Sequence, residues 1–558
     1  MISRRDFAKY AGSCAIVCSM GGALAACLQG CTGGDSANST GAGSGASAGA
    51  DEASAQTQVI VAMPTTSEPA AGFNPLVAWG CGEHVHEPLI QSTLITTNVD
   101  LEFEGDIATS YECSADGLTW TFNLRDDVVF SDGVALSARD VVFTLNAIKD
   151  SAAAQADLSS VESAEATDDT TVIIHMKTPN SALLYTLAVL GIVPEHAYDD
   201  AYGENPIGSG RYMLEQWDKG QQVILRANPL YYGQAPKIER VVVLFMSEDA
   251  SLAAASAAQV DVAYTSAVLA GSVPQSYALL SCKSVDSRGI SLPTQPAGSP
   301  EKTDGDVSYE VGNDVTCDLA MRQAMNWGVD RARMIDEVLS GWGSEAWSVG
   351  DGMPWSSPDM QIEPDQTHAR EILDAGGWVS GADGVLEKDG TRASIELYYA
   401  AGDSVRQALA ASFASQMKEL GIEITIKGAS WDDIYPHQYS SPVLWGWGSN
   451  SPVEMYELLH SRGWGNYASY ASDEVDANLD AALAATSTEE ACEFYQRAQW
   501  DSETGTGVAP QGASTWIWLA NIDHLYFVRE GLSVSEQKPH PHGQGWSLLN
   551  NVDTWEWA

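Results

Sequence analysis

Residues 443–448 read Val-Leu-Trp-Gly-Trp-Gly, and this alternation constrains the chain more tightly than any other stretch. In an extended segment successive side chains point to opposite faces, so Trp445 and Trp447 share one face while Gly446 and Gly448 leave the other bare. Glycine inside a strand marks a place where another backbone or a ligand approaches closely. The segment is therefore expected to be covered on both sides. Two readings fit it: a core strand packed under another backbone, or the wall of a ligand cleft with an indole as apolar contact and Ser449, Asn450 and Ser451 at its mouth. Pro452 stops the run, and a helix-like pattern follows.

The N-terminus sets the compartment. Ser3-Arg4-Arg5-Asp6-Phe7-Ala8-Lys9 has the form of a twin-arginine export signal, followed by a weakly apolar stretch too short to span a bilayer comfortably. Leu24-Ala25-Ala26-Cys27 reads as a lipobox, with Cys27 as the lipid-bearing residue and Cys31, in Leu28-Gln29-Gly30-Cys31, as the alternative. Residues 1–27 are thus expected to be a twin-arginine lipoprotein signal. Residues 28–57 are mostly Gly, Ser, Ala and Thr, a composition that buries too little surface to offset its ordering entropy, and are expected to be a disordered tether. Gly45-Ala46-Ser47-Ala48-Gly49 matches the hydrolase G-x-S-x-G by letters alone, since no strand precedes it and no helix follows.

Some five hundred residues remain, enough for more than one core. The formal charge is −47; removing Arg4, Arg5, Lys9 and Asp6 with the leader takes away a net +2 and leaves −49. That balance argues against nucleic acid and anionic membrane surfaces as partners and is compatible with cationic ligands. The cysteines past the lipobox are Cys81, Cys113, Cys282, Cys317 and Cys492, an odd, scattered set that fits neither a disulfide scaffold nor a zinc knuckle. Cys81 and Cys113 remain a possible pair. The longest later apolar run, 182–193, is broken by Gly191 and closed by Pro194.

Along the chain, Gln58 to Met63 is a short apolar strand. Trp120, Phe122 and Leu124 alternate with polar residues in a half-buried one. Ser137 caps a helix with Val141, Val142, Leu145 and Ile148 at helical spacing and Asp140 at the reciprocal capping position. The segment 119–143, TWTFNLRDDVVFSDGVALSARDVVF, resembles the signature of the peptide- and nickel-binding family of bacterial ABC-transporter solute-binding proteins, family five. Further segments fit the family's order. Pro206-Ile207-Gly208-Ser209-Gly210-Arg211-Tyr212 is similar to its glycine-rich turn, residues 319–341 to its helical pair, and 369–378 to its helix ending in Gly-Trp.

The resemblance implies an α/β, two-lobed periplasmic-binding-protein-like clamp with an extra subdomain on lobe I, mixed sheets, and a hinge between the lobes. It implies lobe I at 58–293 and 525–558, with the subdomain at about 91–195, and lobe II at 294–524. The crossover strands are expected near 292–299 and 519–528. The implied function is an extracytoplasmic binding lipoprotein, not an enzyme, that captures a small peptide or a nickel chelate and delivers it to ABC permease subunits. It is expected to be a monomer, lipid-anchored on the outer side of the cytoplasmic membrane, with nickel as cargo rather than cofactor. The alternative is a secreted, twin-arginine-exported enzyme with an unrecognised cofactor. Against that stands the lack of any zinc, dinucleotide, haem or nucleophile motif in credible context.

The resemblance turns the Trp-Gly strand toward the cleft, which favours the ligand wall, with Trp445 or Trp447 as its apolar contact. Family members that hold peptides commonly place an Asp three residues after this Trp to pair with the peptide's amino terminus. Here that place is Asn450, which accepts a hydrogen bond but lacks the charge; Glu454 and Asp432 are nearby substitutes. Arg211, beside Tyr212, stands where the family has Pro and can present a guanidinium to a carboxylate. Two His-x-His pairs, His84/His86 and His540/His542, would suit a nickel chelate if they converge on one cleft.

Overall fold

The computed structural model describes residues 57–558 except 78–79, 82–83, 152–153 and 305–306, with the backbone alone at 80, 81, 84, 85 and 304. The leader, the tether up to residue 56, and both Cys27 and Cys31 lie outside the described residues.

The strand Gln58–Pro64, with Val59, Val61, Ala62 and Met63 fully buried, is apolar almost throughout because it sits inside a sheet and is covered on both faces. It runs parallel to Arg240–Met246 on one side and to Val262–Thr265 on the other. Around it a seven-stranded mixed sheet takes the order Tyr212–Asp218, Gln222–Ala227, Arg240–Met246, Gln58–Pro64, Val262–Thr265, His524–Arg529, Tyr277–Cys282. The C-terminal segment packs on this sheet, burying Trp546, Leu548, Leu549, Val552 and Trp555 against Val59, Val61 and Phe73.

A second, six-stranded sheet has the order Gly343–Glu345, Trp516–Ile522, Ser287–Ser291, Val443–Trp447, Ser394–Ala400, Glu423–Ala429. Helices Leu319–Gly328 and Ser404–Glu419 contribute Met321, Met325, Leu409 and Phe413 to its core. A four-stranded sheet spanning residues 108–176 carries the helix Ala138–Lys149 and has its own core around Phe122, Phe130, Val141 and Leu145. The expected capping is present, with the Ser137 N–H donating to Asp140 Oδ2 at 2.9 Å. The architecture is a two-lobed α/β clamp. No helix among the described residues is long and apolar enough to cross a membrane. Cys113 is an exposed free thiol.

The chain passes between the two large sheets twice, at residues 283–286 and at Asp523. The first crossing thus precedes the expected 292–299, and Ser287–Ser291 belongs to lobe II rather than lobe I. The physical reason is that Ile290 and Leu292 are fully buried in the second core, which leaves the polar stretch Lys283 to Asp286 as the link.

The Trp-Gly strand Val443–Trp447 lies inside the second sheet with all five residues buried. Trp445 stacks on Tyr467 with ring centroids 4.1 Å apart and on Trp431 at 5.4 Å, and its Nε1 donates to Ser291 Oγ at 3.0 Å. Trp447 packs on Trp464 at 5.4 Å. Both indoles belong to the lobe II core, so the ligand-wall reading is corrected in favour of the core strand. The glycine face meets the crossing segments instead. A Cβ on Gly446 would strike the side chains of His542, Arg406 and Arg288, and one on Gly448 would occupy the position of the Val285 carbonyl. Gly448 also has a φ of +138°, a conformation side chains rarely adopt.

Gly448→Ala is expected to destabilise the protein by roughly 2–4 kcal/mol, because strain and a backbone collision coincide. Gly220→Ala, at positive φ but facing open space, should lose only about 1 kcal/mol. Urea unfolding of the two variants measures the difference.

Candidate functional site

Between the lobes lies a cavity of about 1590 Å³, walled by lobe I, the smaller subdomain and lobe II. The Trp-Gly strand reaches it only through its continuation: Ser449, Asn450 and Ser451 line it, and neither indole does. Glu454, on the helix Val453–Leu459, lines the same wall and is 7% exposed. Its Oε2 accepts the Gly448 N–H at 2.8 Å, so the carboxylate is held by the turn that ends the strand. Asp432 is exposed and does not line the cavity.

The cleft is tied shut at two places. At its front, the Ser181 N–H and Oγ donate to the Leu483 and Ala482 carbonyls at 2.9 and 2.8 Å. Those carbonyls end the helix Asp473–Ala484, where a helix has no internal donors left to offer, so a residue of the subdomain satisfies groups that lobe II cannot. Tyr185 and Trp355 meet edge to face beside this tie, at 5.6 Å. At its back, the loop 537–545 of the C-terminal segment docks on lobe II. The His542 N–H donates to the Gly448 carbonyl at 2.7 Å, and Asn450 Nδ2 donates to the Pro539 carbonyl at 2.9 Å.

The same loop builds the hinge. Its backbone pairs with the first crossing, His540 N–H to the Lys283 carbonyl and Val285 N–H to the His540 carbonyl, both at 2.9 Å. Inside lies a buried charged cluster, none of whose members except the two loop histidines is distinguished by a motif. Asp286 is paired with Arg288 and His542 and accepts from His524 Nε2 at 2.9 Å. Burial alone would raise the Asp286 carboxyl, but the Arg288 guanidinium and the His542 ring, with hydrogen bonds from both histidines, hold it well below the usual carboxylate range. Arg406, paired with Asp403, completes the cluster over Gly446.

The proton inventory follows from donors and acceptors. Gln537 Nε2 donates to the Ser535 carbonyl and to Asn551 Oδ1, which turns its Oε1 toward His540 Nε2 at 3.3 Å, so that nitrogen carries a proton. Burial and then the neighbouring His524 push the His540 ring well below the usual histidine range, so it is neutral and its Nδ1 accepts. His524 Nδ1 lies 3.1 Å from it, and His524 Nε2 donates to Asp286 Oδ2 at 2.9 Å, which joins the two histidines to the cluster.

Among the described residues the expected histidines do not come together as a metal set. His540 and His542 serve the hinge, and His86 lines the cavity with its Nδ1 2.7 Å from Ser547 Oγ. The His84 side chain lies outside the described residues. Among the described residues no group of three or more His, Cys, Asp or Glu is placed to hold a metal ion. Arg211 and Tyr212 are also corrected. Arg211 is ion-paired to Asp553 at 3.1 Å, Tyr212 is fully buried with its hydroxyl donating to the Ile238 carbonyl at 2.8 Å, and neither lines the cavity. The glycines ahead of them explain the position: Gly208 and Gly210 let this turn lie against the backbone of Leu89 and Ile90. Sequence reasoning missed Asp286 and Arg288; the signal was two opposite charges two residues apart at the start of the strand Ser287–Ser291.

Comparison with known proteins gives three kinds of match. The model of the bacterial extracellular solute-binding proteins, family 5 Middle, matches residues 102–468. Protein XP55 of Streptomyces lividans is 32% identical over 501 residues, 84% of this chain and 85% of that protein. The probable D,D-dipeptide-binding periplasmic protein DdpA of Escherichia coli is 27% identical over 467 residues, 78% of this chain and 84% of the relative. Among solved structures, NikZ from Campylobacter jejuni in complex with Ni(L-His) superposes with a TM-score of 0.76 at 24% identity, covering 90% of this chain and 99% of that one.

A pH dependence follows from His540. Its pKa is depressed in the folded state, so the unfolded chain binds the proton first, and stability falls as pH drops below about 6.5, by up to about 1.4 kcal/mol per pH unit. The Asp286 contribution is retained until about pH 4 and is lost only as pH falls through its lower folded value. The midpoint of thermal unfolding should therefore fall between pH 7.5 and 5, and fall less in His540→Gln.

Proposed function

Because the chain belongs to family 5 of the bacterial extracellular solute-binding proteins, we propose that it is the capture component of an ABC importer, closing on a small peptide or a nickel chelate and handing it to the permease. The observation that carries this reading is the cavity itself: about 1590 Å³, enclosed by both lobes, with hydrogen bonds between the lobes at its front and back. Drug-sized ligands occupy sites of about 300–1,000 Å³, so there is room for a short peptide or a metal with its chelator. A relative named for dipeptides and a structural neighbour holding nickel with histidine support these two ligand classes. Since the described residues provide no metal-holding cluster, nickel would enter already chelated, with His86 as the imidazole nearest to hand.

The twin-arginine leader and the lipobox at Cys27, with Cys31 as the alternative, support export and anchoring on the outer face of the cytoplasmic membrane. On this reading lobe I comprises the first sheet, its subdomain and the C-terminal segment, and lobe II the second sheet with its helices. The protein acts as a monomer whose closed form the permease recognises.

Thermal unfolding of the mature chain with tripeptide mixtures, with nickel and histidine together, and with nickel alone tests the proposal. A true ligand at 100 times its Kd adds about 2.7 kcal/mol of stability and raises the midpoint. The tripeptides or the nickel–histidine mixture should do so and nickel alone should not. In His86→Ala a nickel–histidine response should shrink while a peptide response persists. No response to any of them would sink the proposal.

A further inference from the structure

The helix Leu183–Val189 of the subdomain turns two different faces to its surroundings. Leu183 and Leu187, one turn apart, are buried in the subdomain core. Tyr185 stands midway between them in sequence and therefore on the opposite side of the helix, where it lines the cavity. Although its helix belongs to the subdomain, the Tyr185 ring packs against the aromatic core of lobe II.

Two rings hold it there. Phe103, from the strand Phe103–Gly105, meets it edge to face at 4.9 Å from the subdomain side and lines the cavity as well. Trp355 meets it at 5.6 Å from the lobe II side. Trp355 is itself fixed: it is 3% exposed, and its carbonyl accepts Gln499 Nε2 at 2.7 Å from the helix Thr488–Gln499. Phe103, Tyr185 and Trp355 thus form a row that crosses from the subdomain to lobe II, with the middle ring in the cavity wall. The Ser181 bonds beside this row exchange for bonds to water when the lobes part, so their net contribution is small. An aromatic contact has no such replacement, because separation returns both ring surfaces to water.

We propose that Tyr185 positions the subdomain on lobe II and limits the size of the ligand: its ring is both the front wall of the cavity and the contact that holds the front shut. The inference rests on the cleft being the ligand site, as argued above. A ligand that ends short of the ring lets the Tyr185–Trp355 contact form. A longer one has to displace the ring, and the front then stays open. Closure at the front is therefore conditional on ligand size, whereas the hinge at the back is built from groups of the chain itself. A reporter lies beside the contact. The Cys492 thiol, on the helix Thr488–Gln499, is half-buried and close enough to Tyr185 to act on it electrostatically, and burial pushes its pKa up. Its thiolate reactivity is thus low while the front is closed. The exposed Cys113 serves as the internal control.

Calorimetric titration of the mature protein with mixed-sequence dipeptides, tripeptides, pentapeptides and octapeptides, and with nickel and histidine together, tests this in the wild type, Tyr185→Ala and Tyr185→Phe. For the tightest-binding short ligand, Tyr185→Ala should bind about tenfold more weakly, as expected for losing two ring contacts, and Tyr185→Phe, which keeps both, should stay within about twofold. The wild type should bind octapeptides about tenfold more weakly than that short ligand, and Tyr185→Ala should show no such difference. Alkylation of wild-type Cys492 by iodoacetamide, read by mass spectrometry, should slow by about tenfold or more with the short ligand bound while Cys113 is unaffected. This measurement needs no variant and keeps the test intact if Tyr185→Ala fails to fold. Tyr185→Ala binding the short ligand as tightly as the wild type, a length profile it shares with the wild type, or Cys492 alkylated at one rate with and without ligand overturns the inference and leaves the cleft reading standing. No binding of any peptide and none of nickel–histidine overturns the cleft reading and this inference with it.

Discussion

The structure hangs on the ion cluster around Asp286. A buried carboxylate is tolerated only when its charge is compensated and its lone pairs are occupied. Asp286, in the first crossing, meets that demand by drawing partners from three separate pieces of chain: Arg288 from the strand just after it, His524 from the strand just after the second crossing, and His542 from the C-terminal loop. Those are the pieces that must stay in register if two lobes are to close on one another. A charged cluster suits this duty better than apolar packing, because hydrogen bonds specify direction while apolar contact mainly specifies proximity. Removing Arg288 would take away the charge that most offsets the burial of Asp286, which is the expensive failure, rather than merely subtracting one contact.

The loop that closes the cluster also closes the cleft. Within a few residues it supplies the His540 and His542 side chains to the hinge, the Pro539 carbonyl to Asn450, and Pro541 to the cavity wall. Cavity wall and hinge chemistry are therefore parts of one short segment. The lobe II side is built to receive it. Gly446 leaves room for the His542 ring and the two guanidinium groups, and Gly448 lets the first crossing lie directly on the strand. At the far edge the Ser181 tie works by another principle, completing the unsatisfied end of a helix across the gap. A single hydroxyl and a single N–H make a weak clasp, suited to opening, whereas the buried cluster is suited to staying put.

Much of the scaffold was legible from local pattern. The Ser137 and Asp140 capping pair, the helix it opens, and the apolar strand at 58–64 all follow from propensity, periodicity and capping chemistry that need only near neighbours. The site was less legible. Arg211 beside a glycine turn looks the same whether it faces a ligand carboxylate or, as here, Asp553 more than three hundred positions away. The histidine pairs carried a real signal, since they stand close to the cavity and the hinge, but their partners, Asp286 and Ser547, come from distant segments with no motif to mark them.

By itself the sequence determined that residues 443–448 would be an extended segment with one aromatic face and one bare face, both covered. Side-chain alternation and the absence of Cβ atoms are properties of the chain, independent of what surrounds it. Only the tertiary structure decided what covers each face: the aromatic core of lobe II on the Trp side, the charged hinge on the Gly side, and the cleft just beyond, at Asn450. That choice depends on which elements the sheet order brings alongside, Ser287–Ser291 on one edge and Ser394–Ala400 on the other, and on a loop that arrives from nearly a hundred residues further along. Close packing fixes such arrangements only once all the parts are present, because each surface is shaped by its partner.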